Sequence, residues 1–426
     1  MTLSWFQIVR LGFVQMALGA IVVLTTSTLN RLMVVELSLP ALLPGLLVGL
    51  HYSIQLTRPH WGFYSDAGGH RTRWIIGGMV VLGLGAFTAT CALLAFPQSF
   101  ALGLTISIIA YTMIGLGVGA SGTSLLALLA TTTAPHRRAA AATITWLMMI
   151  FGIAMTAGIV GQLIDPYSPQ LLIEIVGIVV TIAVAVTCLA VWRVERNLIA
   201  VREPDPTPFR EGLREVWQER KARNFTLFVF LSMTAYFMQE LILEPYAGLV
   251  FGFTPGQSTS LSGAQNGGVF VGMLTVGIMA TGLKIGALRN WVMAGCMGSA
   301  AALALITFLG PMGPGAPLVP AVVLLGFFNG MFAVAAIGSM MALAAQGKER
   351  REGTRMGLWG AAQAIAAGFG GLIGAGMVDL LRVSLTDTQA FGTVFIGEAA
   401  LFIAATAMAA KIMDRKMPSA TLVPGE

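Results

Sequence analysis

Two carboxylates stand in an otherwise apolar run, "AYFMQELILEPYAG" from Ala235 to Gly248. Glu240 and Glu244 are four residues apart and share one face of a helix. Pro245 follows at once and predicts that the helix kinks or ends there. A charge inside a membrane costs at least about 2.5 kcal/mol unless it finds a partner or water, so these acids predict either an ion pair or a ligand. Arg31 and Glu36, in "TLNRLMVVEL", are charges of the same kind in an earlier run. Arg31 stands at a depth suited to meeting Glu240 or Glu244, as an outer gate or as a static pair near the headgroups. His51, with Tyr52 and Gln55 nearby, reads either as a packing residue or as an axial ligand to a metal carried by a bound molecule. Glu174 and Glu398 are further acids in apolar runs that could carry protons.

The elements that must position these residues are membrane spans. The chain of 426 residues is 56% hydrophobic and only 10% charged, with a mean hydropathy of +0.81, whereas a soluble domain carries about 25% charge. A span needs about 20 apolar residues. That rule predicts twelve, near 10–30, 41–59, 74–95, 101–130, 140–164, 170–192, 225–250, 262–281, 290–310, 318–345, 356–380 and 391–411. With the amino terminus inside, only Arg31 and Arg382 of the 25 Lys and Arg fall outside. This asymmetry predicts both termini in the cytoplasm. The net charge of +6 therefore reports topology and gives no reason to expect nucleic acid. No phosphate loop, catalytic triad or metal-ligand spacing is present, and the chain is expected not to be an enzyme and to hold no structural metal.

The predicted organisation is an N-terminal six-helix bundle over 1–192, a cytoplasmic linker over 193–224, and a C-terminal six-helix bundle with a short tail over 225–426. In the linker, "PDPTP" is followed by an N-cap at Thr207 and helical spacing of Phe209, Leu213, Val216 and Trp217, an amphipathic surface helix. The halves carry related segments: "WIIGG" and "WVMAG", and "GQLID" and "GMVD". Such parallel repeats build major facilitator transporters. Glycine stripes in "FGIAMTAGIVGQLIDP" and "AAGFGGLIGAGMVD" predict close helix packing.

"GFYSDAGGHRTRW", from Gly62 to Trp74, resembles the major facilitator signature between the second and third spans. The resemblance makes Gly62, Asp66, Gly69, Arg71 and Arg73 a cytoplasmic latch, with Asp66 capping the next helix or pairing with Arg71 or Arg73. Over the whole chain, and most specifically at "TLNRLMVVEL" and "QELILEPYAGLVFG", the sequence resembles the PucC-like bacteriochlorophyll delivery family of the major facilitator superfamily. It is closer to the short members associated with bacteriochlorophyll biosynthesis than to those assembling antenna rings.

The resemblance implies an all-α polytopic fold in a bacterial inner, photosynthetic membrane. It implies binding of bacteriochlorophyll, or a late precursor, and its delivery to light-harvesting or reaction-centre apoproteins. The other roles open to it are a scaffold for bacteriochlorophyll synthase or geranylgeranyl reductase, and proton-coupled transport of a small amphipathic solute. No cofactor is required on this reading, with bacteriochlorophyll as the molecule the protein could hold. Arg31, Glu36, His51, Glu240 and Glu244 are the ligand-binding or gating candidates, and His51, Glu240 or Glu244 could supply an axial ligand to the pigment magnesium.

Overall fold

A computed structural model describes residues 3–57, 71–134, 137–197, 217–283, 285–345 and 352–413. Among the described residues the chain forms twelve long helices. They are α1 (Trp5–Glu36), α2 (Leu42–Thr57), α3 (Arg71–Ala95), α4 (Phe100–Thr132), α5 (Arg138–Leu163) and α6 (Pro169–Val191). They continue with α7 (Arg220–Phe251), α8 (Pro255–Val276, extended by a π-helical turn at Gly277–Gly282), α9 (Leu288–Leu309), α10 (Leu318–Ala345), α11 (Glu352–Arg382) and α12 (Asp387–Ile412). Ten of them are long and apolar enough to cross a membrane. The other two are α2, which is shorter, and α8, whose first half is rich in Ser, Thr, Gln and Asn.

Short polar caps explain where several helices begin. Ser4 and Gln7 form a reciprocal capping box on α1, and Thr386 and Gln389 form another on α12. Ser99 caps α4, and Ser168 caps α6 ahead of Pro169.

Three expectations need correction. The first span runs to Glu36 rather than residue 30, because Asn30 and Arg31 are buried and bonded inside the fold instead of ending the helix. The eighth starts at Pro255 rather than near 262, because Thr254 and Gln257 cap a first half too polar for an apolar count to register. Helix α7 does not end at Pro245 but continues to Phe251.

By packing, the chain divides into two units, Met1–Arg202 with Glu240–Asn266, and Glu203–Gln239 with Gly267–Glu426. The boundary falls inside α7 and α8. In the first unit α3 and α4 meet nearly backbone to backbone: a Cβ on Gly78 would lie 2.5 Å from the Ser121 nitrogen, and one on Gly117 would lie 2.5 Å from that of Leu82. The expected glycine stripe of α5 packs closely on the start of α8, where a Cβ on Gly263 would lie 2.7 Å from the Gly158 nitrogen. In the second unit the stripe of α11 packs on α7, with a Gly374 Cβ 2.7 Å from the Met238 carbonyl. Its core joins Phe225 to Trp359 (4.9 Å between rings), Phe228 to Phe332 (6.4 Å) and Phe332 to Phe402 (6.1 Å).

Candidate functional site

Two π-helical turns interrupt α1, at Leu24–Thr28 and at Leu32–Glu36. Such turns release carbonyls from the helical ladder and are frequent at functional positions. Here the Leu29 N–H bonds to Leu24, one residue beyond its α-helical partner, and the Thr25 carbonyl accepts from the Tyr111 hydroxyl of α4 (2.9 Å). Thr25 and Thr26 turn their own hydroxyls back onto the Val22 carbonyl, which bends a helix. The run Thr25 to Arg31 is buried throughout.

Facing this run, within the first unit, are the end of α7 and the start of α8. The Asn30 amide donates to the Leu241 carbonyl at 2.8 Å. The Thr28 and Thr259 hydroxyls are 3.3 Å apart, and the Ser262 hydroxyl donates to Ser27 at 3.4 Å. Asp165, at the end of α5, accepts from the Thr254 hydroxyl and from the Gly256 N–H (3.1 Å), and so caps α8. The cluster therefore ties α1, α5, α7 and α8 together with hydrogen bonds between groups that would be costly to bury singly.

Arg31 is 2% exposed and spends its donors locally: on Glu36 (2.5 Å), the Phe253 carbonyl (2.8 Å) and the Ser258 hydroxyl (3.4 Å). The expected ion pair to Glu240 or Glu244 does not form; Glu36, five residues on in the same helix, takes the guanidinium instead. Glu244 is 1% exposed, and neither of its oxygens has a hydrogen-bond partner. Ser262 and Arg31 are its polar neighbours, and neither reaches it with ordinary hydrogen-bond geometry. The Asn30 side-chain oxygen is likewise without a donor. Glu240, one turn earlier, is half-buried. The cluster thus offers unused acceptors in a dry setting, suited to a hydrogen-bond donor or a hard cation.

Residues 28–417 match the family described as PUCC protein. The chain belongs to the PucC family. A relative in Rhodobacter capsulatus, named bacteriochlorophyll synthase 44.5 kDa chain, is 66% identical over 97% of this chain and 96% of that protein. Protein PucC of Cereibacter sphaeroides is 29% identical over 91% of this chain and 86% of its own. Among solved structures, a bacterial homolog of the human lysosomal transporter Spinster, inward-facing and unoccupied, superposes with a TM-score of 0.71 at 14% identity, covering 96% of both chains. A peptide transporter of the POT type in complex with sulfate gives the same score, identity and coverage. This PucC-family chain is a multi-pass membrane protein with the major facilitator fold.

The remaining candidates of this PucC-family chain lie apart from the cluster. His51 is 2% exposed, with its Nε2 bonded to Gln55 (2.9 Å) and its ring edge-on to Tyr52. Gly62, Asp66 and Gly69 of the signature lie outside the described residues, as do Thr207 to Val216 of the linker. Arg71 is described, and its guanidinium donates to the Ala127 carbonyl of α4 (2.8 Å); Arg73 is exposed. The N-terminus of α3 is capped by a residue that no motif or spacing singles out. Glu195, just after α6, accepts from the Arg71 N–H (2.8 Å), the Thr72 N–H (3.1 Å) and the Thr72 hydroxyl (2.7 Å). Arg10 closes the other side of that corner by donating to the Leu189 and Trp192 carbonyls at the end of α6. Glu174 is exposed on α6, whereas Glu398 is fully buried in α12 with both oxygens unpartnered.

Proposed function

We propose that this protein holds bacteriochlorophyll, or a late precursor, in the photosynthetic inner membrane of a bacterium and passes it to light-harvesting or reaction-centre apoproteins. The 66% identity to a relative named bacteriochlorophyll synthase 44.5 kDa chain supports the link to this pigment. The buried Glu244 carboxyl group, neither oxygen of which has a hydrogen-bond partner, supports it chemically. Pigment magnesium takes a hard oxygen ligand, and a carboxylate without a protein partner is available for one. The protein's work on this reading is binding and release, without bond-making chemistry. The distribution of Lys and Arg supports an orientation with both termini in the cytoplasm.

A second reading, a scaffold that holds a bacteriochlorophyll-synthesising enzyme at the membrane, is favoured by the word "synthase" in the relative's name. Mild-detergent purification of the full chain from pigment-making cells separates the two. Delivery requires bacteriochlorophyll absorbance that follows the protein at a fixed ratio through size exclusion. A pigment-free protein that brings a stoichiometric biosynthetic enzyme with it would overturn delivery in favour of the scaffold.

A further inference from the structure

A cavity lies where the ends of α1 and α3 meet the start of α6. It encloses about 290 Å³, near the lower end of ligand-pocket volumes. Its walls are mainly leucine (Leu32, Leu93, Leu94 and Leu172), and its polar groups include Glu36 and Tyr167. Glu36 gives one oxygen to Arg31, and its side chain remains 39% exposed. Arg31 has committed its guanidinium to Glu36, Phe253 and Ser258, and it does not line the cavity. The Tyr167 phenol, in the turn between α5 and α6, is pushed above its ordinary value, first by burial and then by the Glu36 charge, with Arg31 offsetting part. It therefore stays a neutral hydroxyl.

The site thus combines a carboxylate and a hydroxyl at one end with a leucine wall behind them. A carboxylate disfavours a head that carries only negative charge, whereas a zwitterionic head brings a cation of its own. The carboxylate accepts a primary ammonium, which has three N–H donors to share between an acid and a phenol. The cavity sits where helices α1 and α3 end, the level at which lipid headgroups meet a spanning bundle. We propose that it binds an aminophospholipid, with the ammonium at Glu36 and Tyr167 and the first methylenes against the leucines. A tetrapyrrole macrocycle is too large for this volume, so the site is separate from the pigment function argued above.

The test is native mass spectrometry of the full protein in mild detergent with added phosphatidylethanolamine, phosphatidylcholine or phosphatidylglycerol of identical chains. Retention of the ethanolamine lipid should exceed that of the other two about tenfold, the scale of a charge-assisted hydrogen bond. Leu172→Trp, which fills the cavity, should remove the bound lipid, and Tyr167→Phe should weaken it. Glu36→Gln should abolish the preference, but it also strips Arg31 of its counter-ion, so the first two variants carry the test if that one fails to fold. Equal retention of the three lipids, or undiminished retention in Leu172→Trp, would overturn the proposal.

Discussion

The side-chain amide of Asn30 occupies the position of a missing backbone donor: it bonds the Leu241 carbonyl at 2.8 Å, four residues before Pro245. In an unbroken α-helix that carbonyl would take the N–H of residue 245, which proline lacks. Within a membrane no water is at hand to replace it. The asparagine of α1 thus allows α7 to run on to Phe251, and it holds the two helices at one register. Asn30→Ala should destabilise the protein by about 1–2 kcal/mol, the penalty of an orphaned buried carbonyl. In a Pro245→Ala background the new N–H takes that carbonyl, so the same substitution should cost about 1 kcal/mol less. Thermal unfolding of the four proteins in detergent measures the cycle, and equal costs in both backgrounds would refute the pairing.

At the other end of this unit Glu195 receives two backbone N–H groups and one hydroxyl from the first turn of α3. An anion there also meets the positive end of the helix dipole. Glu195→Ala should cost about 1–2 kcal/mol, as removal of a good N-cap does. It should also speed amide exchange in the first turn of α3 while leaving the middle of the helix protected. Uniform exchange along α3 would show that the cap is not what holds that end.

The spans were legible because lipid demands long apolar helices, and that demand is written in composition. Their ends were less so. Apolar counting stops at Asn30 and Arg31, yet both are buried because partners from α7, α8 and the intervening turn accept their donors. The same counting passes over Ser258, Thr259 and Ser262, whose polarity is matched by the run Thr25 to Arg31 from more than two hundred residues away. A polar residue in a span announces that a partner exists, but not which one. Arg31 shows the limit, since spacing offered Glu240 and Glu244 and the fold delivered Glu36. Glu195 gave little warning because one acid after a span is ordinary.

Close packing of α5 on α8 makes a sharp contrast between two glycines of α8. A Cβ on Gly263 would fall 2.7 Å from the Gly158 nitrogen and 3.1 Å from the Ala154 carbonyl, whereas one on Gly267 meets nothing within 4 Å. Gly263→Ala should therefore force backbones apart and destabilise by about 1–3 kcal/mol. Gly267→Ala should stabilise by up to about 1 kcal/mol through helix propensity alone. Melting temperatures that move in the same direction for both would contradict the packing.

Glu244 and Glu398 are both buried acids whose oxygens lack partners, one in each packing unit. A glutamine in either place keeps the shape and cannot ionise, so neither substitution should reduce stability, and each should raise it if an ionised carboxylate there costs the few kcal/mol typical of a membrane interior. Function should separate them. Only Glu244 stands beside the hydroxyl and amide cluster that offers further acceptors, so Glu244→Gln should lower pigment retention about tenfold or more, a carboxylate being a far better magnesium ligand than an amide. Glu398→Gln and the half-buried Glu240→Gln should retain pigment as the unaltered protein does. Absorbance per mole of purified protein, read beside the melting temperature, distinguishes the outcomes. A Glu244→Gln protein that keeps its pigment would leave that carboxylate without a part in binding. One that loses both pigment and stability would mean that Glu244 has a protein partner after all, and that its role is to hold α7.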